Sequence, residues 1–139
     1  MRKTIIPAIL AFSFLSMAAK CSKDKKQAGN CDGVMCTAMF AMVNITVTDS
    51  VGNIVKLDDA YTLRLSNNST IRTANNSTPD GSYTVLDDSY QKRLVNATDS
   101  FRFIGIKNGK EVVKETFVIS ADCCHINKQS GKTEVVANL

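Results

Sequence analysis

Residues 39–48, MFAMVNITVT, place the tightest limit on the fold. Met39, Ala41, Val43, Ile45 and Val47 occupy one phase of this stretch, and Met42, Asn44, Thr46 and Thr48 the other. Successive side chains of an extended chain point to opposite faces, so a period of two predicts a strand with one buried face. Similar β-rich segments recur at 61–65, 82–86, 101–107, 111–120, 125–128 and 133–137, with short pieces at 54–57 and 70–73. Clusters of Gly, Asn, Asp and Ser separate them, which is the punctuation of turns.

The sharpest of these turns is KNGK at 107–110. Asn108 and Gly109 stand between two strand-like runs, and a two-residue hairpin turn needs positive φ at both central positions, which Asn and Gly tolerate best. DSVGN at 49–53 reads as a turn, and the asparagine-rich stretch 66–82 as a solvated connection. Only residues 89–96, SYQKRLVN, are compatible with either helix or strand, with Asp88 placed to cap a short helix. The pattern predicts an all-β chain, an antiparallel β-sandwich of seven or eight strands. The run NITVTDSVGNIVKL at 44–57 resembles the opening of carboxypeptidase-regulatory-like and transthyretin-like sandwiches, in which a strand ends in Asp and a Gly turn leads into a short apolar strand. That resemblance implies an immunoglobulin-like domain of structural or adhesive character, with no catalytic residues to carry over.

The chain begins differently. Arg2 and Lys3 precede an apolar run over 5–19, the layout of an export signal and too short to span a bilayer comfortably. Ala18, Ala19, Cys21 and the polar residues after them resemble a bacterial lipoprotein signal of the Bacteroidota type. The resemblance implies a signal peptide over 1–20, acylation (palmitate) at Cys21, a flexible tether over 21–30, and an outer-membrane lipoprotein of the cell envelope facing the periplasm or the surface. Cleavage after Ala18 or Ala19 instead would release a soluble periplasmic protein. Residues 31–139 then form the sandwich domain.

The formal charge of +4 is no guide to a nucleic-acid partner. Six of the 17 Lys and Arg (Arg2, Lys3, Lys20, Lys23, Lys25 and Lys26) lie before residue 31, with Asp24 as the one acid there. The domain keeps 11 bases against 12 acids and has no Trp for base stacking. The partners expected are the membrane, through the lipid anchor, and an envelope protein or glycan.

Five cysteines remain to be placed: Cys21, Cys31, Cys36, Cys123 and Cys124. If Cys21 carries lipid, an even set of four is left in an oxidising compartment, where disulfides form. Adjacent residues of a strand face opposite ways, so Cys123 and Cys124 are expected to bond outward, one to Cys31 and one to Cys36, in an order the sequence leaves open. Loops of about 90 residues closed this way stabilise by roughly 4–5 kcal/mol for the first bond. Zinc is the alternative, with Cys31, Cys36, Cys123, Cys124 and His125 as soft ligands. His125 is the one histidine; no acid or nucleophile is matched to it in the sequence, and it reads as a neighbour of the disulfides.

An internal echo adds one more candidate. LDDAYTLRL at 57–65 and LDDSYQKRL at 86–94 share six of nine positions. Asp58, Asp59, Asp87 and Asp88 would supply a calcium site if the loops converged, but an Asp pair more simply begins an element by accepting backbone hydrogen bonds. No catalytic residue, metal or cofactor is favoured. The expectation is a non-catalytic binding or accessory module, with a metal-binding protein or a structural subunit associating through edge strands as alternatives.

Overall fold

The computed structural model describes residues 31–73 and 81–139. The expected leader, the tether with Cys21, and the middle of the asparagine-rich stretch lie outside the described residues. Among the described residues eight strands form: β1 (Met42–Thr48), β2 (Asp59–Arg64), β3 (Ser69–Ile71), β4 (Ser82–Asp87), β5 (Ala97–Lys107), β6 (Lys110–Ala121), β7 (Ile126–Ser130) and β8 (Glu134–Val136). They make two sheets, one of three strands in the order β4-β1-β8 and one of five in the order β3-β2-β5-β6-β7.

The alternation read from the sequence carries the core. Val43, Ile45 and Val47 of β1 are buried, and they face a set that includes Phe101, Phe103, Phe117 and Ile119 from β5 and β6. The Thr62 hydroxyl donates to the Val85 carbonyl at 2.8 Å and so joins the sheets through this core, and the Leu57 amide, in the link between β1 and β2, donates to the buried Tyr83 hydroxyl of β4 at 2.6 Å. β5 and β6 form the long central hairpin, and its turn is Asn108 and Gly109, at φ 51° and 73°. Ile54 makes only an isolated bridge to Thr48, so the short strand expected at 54–57 is an extended link instead.

Two features depart from an all-antiparallel sandwich read strand by strand. β8 pairs with β1 in parallel, with Val47 opposite Val135. The chain leaves β7 in one sheet and joins the other across residues 131–133, so no hairpin obliges β8 to run antiparallel. Gly131 makes that crossing possible: its φ is +114°, and a Cβ there would meet the Phe117 ring at 2.4 Å. The second departure is at 88–94, where a 3-10 turn (Asp88–Tyr90) leads into α1 (Gln91–Leu94). Its cap is Asp87, whose side chain accepts from the Ser89 amide, and not Asp88, which is engaged elsewhere.

Candidate functional site

Asp88 is held at the centre of one end of the sandwich. Its Oδ2 accepts from the Ala41 amide at 2.7 Å and from His125 Nδ1 at 2.7 Å, and its Oδ1 accepts from the Ile126 amide at 2.8 Å. Its carboxyl is largely buried, at 10% side-chain exposure. Burial opposes the charge, but the hydrogen bonds from Ala41, His125 and Ile126 together outweigh it and hold the carboxyl below the usual Asp range. A carboxylate can only accept, so Nδ1 of His125 carries a proton. His125 Nε2 then lies 3.0 Å from the Thr37 hydroxyl.

The turn that supplies His125 is built by a second carboxylate. Asp122 Oδ1 accepts from the amides of Cys124 and His125 at 2.7 and 2.8 Å, the local arrangement by which Asp folds a turn on itself. Those two amides are the main reason its carboxyl is held below the ordinary value. The buried Gln91 side chain ties the same turn to α1, donating to the Asp122 carbonyl at 2.7 Å.

Two disulfides close the arrangement. Cys31 bonds Cys123 and Cys36 bonds Cys124, with Cα separations of 5.5 and 5.3 Å. The cysteine pair sits in the 122–125 turn between β6 and β7, and not within a strand as the sequence suggested; the Asp122 hydrogen bonds hold the backbone out of the ladder there. The result is a clasp. Residues 31–41 run outside both sheets and are fastened to the β6–β7 turn at Cys31, Cys36 and Thr37 and to Asp88 of the 3-10 turn at Ala41. Met39, expected in the buried phase of the first strand, is 73% exposed for this reason: the strand begins only at Met42, after the clasp releases the chain.

His125 therefore has both an acid and a hydroxyl beside it, contrary to the reading of a lone histidine. A hydroxyl, an imidazole and a carboxylate in this order are the parts of an acyl-transfer relay. Such chemistry also uses donors aimed at a developing oxyanion, often backbone amides. Here the amides of Ala41, Cys124, His125 and Ile126 are all engaged by Asp88 and Asp122, which fasten the segments together.

The metal alternatives do not gain from this geometry. All four domain cysteines are disulfide-bonded, which removes the thiolates that zinc needs. Among the described residues no three His, Cys, Asp or Glu side chains gather as a metal site. The four echo acids are not brought together either. Asp58 accepts from the Asn108 amide at 2.6 Å, at the hairpin end of the β5–β6 ladder, and Asp59 pairs with Arg72 through contacts of 2.6 and 3.1 Å. Asp87 caps the 3-10 turn, and Asp88 belongs to the clasp beside Ala121, at the other end of that ladder. Ten residues of strand separate the two ends, about 30 Å.

A separate groove of about 450 Å³ lies between β6 and β8, lined in part by Lys114, Glu115, Lys132 and Glu134. Comparison with protein-family models, curated proteins and solved structures finds no match to the chain.

Proposed function

We propose that this chain is a lipid-anchored protein of the cell envelope whose β-sandwich is a non-catalytic binding or accessory module. The clasp is the observation that carries this reading. Two disulfides and the Asp88 knot fasten residues 31–41 at the point where the chain arrives from the expected tether. A domain held at a membrane by its N-terminal segment bears any pull at that point, and covalent links there keep the first strand from being peeled out of its sheet. Disulfides of this kind also suit an oxidising compartment. No described helix is long and apolar enough to cross a membrane, so in this reading the membrane is reached through Cys21.

The open faces of the sandwich and the groove between β6 and β8 are the surfaces left for an envelope protein or glycan. Association through edge strands is less well supported. β3 and β8 are three residues each, the β7 edge exposes Asn127, Lys128, Gln129 and Ser130, a short polar rim of the sort that discourages strand addition, and on the β4 edge the Thr84 and Val85 carbonyls are taken by the Thr73 and Thr62 hydroxyls. The test is the intact mass of protein extracted from membranes without reductant. The reading expects a chain beginning at Cys21, bearing acyl groups and lacking four hydrogens for two disulfides. A mass showing cleavage after Ala18 or Ala19 and no acyl group overturns the anchor.

A further inference from the structure

The clasp holds four large apolar side chains out of the core, and Met42, the first residue of β1 and on its outward phase, adds a fifth. Val34 is 49% exposed, Met35 95%, Met39 73%, Phe40 61% and Met42 52%, all within nine residues. The residues between them, Cys36, Thr37 and Ala41, make the inward links to the β6–β7 turn and to Asp88. Ties thus alternate with bare apolar groups along one short segment. Elsewhere among the described residues the exposed large apolar side chains are scattered, at Val51, Ile54, Val136 and Leu139. A contiguous exposed apolar patch on a folded domain marks a surface that meets something apolar.

We infer that residues 34–42 dock on the bilayer surface, so that the domain lies against the membrane on its clasp end. The occupant follows from what precedes the patch. Nine residues lie between Cys21 and Cys31, so even fully extended the link reaches at most about 35 Å. The patch is the first part of the folded domain after that short link, so it is the apolar surface nearest the anchor. The link carries Lys23, Lys25 and Lys26 against Asp24 alone, a cationic run suited to anionic headgroups. Met and Phe side chains on a disulfide-pinned segment can enter the headgroup boundary without any ordering of the chain at that moment. This inference rests on the anchoring proposed above.

The chain contains no Trp, so a single one reports its own surroundings. Full-length protein carrying Phe40→Trp is reconstituted into phosphatidylethanolamine–phosphatidylglycerol vesicles with brominated acyl chains. A second protein carries Val51→Trp in the turn at the other end of β1, where the native residue is 79% exposed. The expected result is blue-shifted emission from position 40, quenched several-fold more strongly than emission from position 51, and quenching weakened by adding Met35→Ser and Met39→Ser. Intact mass confirms both disulfides in each variant. Equal, weak quenching at both positions on protein that floats with the vesicles overturns the docking while the anchor stands. Protein that does not float with the vesicles sinks the anchor, and the docking with it. A position 40 shielded from aqueous iodide but untouched by bromine assigns the patch to another copy or another segment of the chain and overturns the proposal.

Discussion

The segments 57–65 and 86–94 carry nearly the same nine residues and end as different structures. In the first, Asp59 to Arg64 are strand β2; in the second, the chain leaves β4 at Asp87 and coils into a 3-10 turn and one turn of helix. Two of the three positions that differ account for this. Thr62 stands where the second copy has Gln91, and a β-branched residue favours a strand as Gln favours helix; Leu63, where the second copy has Lys92, is a helix former by propensity and is held in β2 by its pairing with Thr70 and Arg102. Ser89, in place of Ala60, adds a hydroxyl that bonds Asp87 beside its amide, fixing the cap. The acids diverge further still. Asp58 and Asp59 take partners at the surface, while Asp88 is enclosed by three donors from two remote segments. The lesson is that a local motif sets which group is offered, and the segment opposite decides how much it matters.

The largest effect is expected on the clasp side of this comparison. Replacing all four domain cysteines by Ser is predicted to lower stability by at least the roughly 4–5 kcal/mol of one long loop closure, read by urea unfolding. The same loss should appear on reduction of the wild-type chain.

Asp88→Ala comes next. It leaves the Ala41 and Ile126 amides and His125 without their acceptor, and a buried unsatisfied donor costs about 1–3 kcal/mol, measured with the disulfides intact. Acid should act on the same group. The folded Asp88 is held below its ordinary value, so the folded chain binds fewer protons than the unfolded one at mildly acid pH. Its contribution is full above the unfolded value of about 3.9 and falls away as pH drops through the lower, folded value. Asp88→Asn should flatten that part of the acid limb in a pH series of unfolding midpoints.

Asp87→Ala removes a cap and is predicted to cost about 1 kcal/mol. Asp59→Ala is the smallest, with a midpoint indistinguishable from wild type, because its ion pair with Arg72 is exposed on both sides. A larger loss at Asp59 than at Asp88 would reverse the comparison.

The elements that form locally were legible in the sequence, and those that depend on remote partners were not. Alternation at Val43, Ile45 and Val47 and the Asn108–Gly109 turn rest on neighbours in the chain, and both appear in the structure. The parallel seat of β8 beside β1 rests on a sheet crossing that leaves no local pattern. Asp88 and His125 stand 37 positions apart, and Thr37 and His125 stand 88 apart. One signal did point there. Once Cys31 and Cys36 are joined to Cys123 and Cys124, the residue after each second cysteine, Thr37 and His125, must come close as well. Reading His125 as isolated overlooked that the cysteine pairing brings its neighbours with it. Met39 went astray for the same reason, because its alternation is genuine but the clasp holds it away from the sheet.

The central claim, that Asp88 fastens the incoming segment to the sandwich, is tested most directly by hydrogen exchange at the Ala41 amide. Slow exchange is expected in the oxidised wild-type chain, fast exchange in Asp88→Ala with both disulfides retained, and wild-type protection in Asp59→Ala. An Ala41 amide that exchanges at the rate of an open chain in the wild type, or stays equally protected without the Asp88 carboxylate, would contradict it.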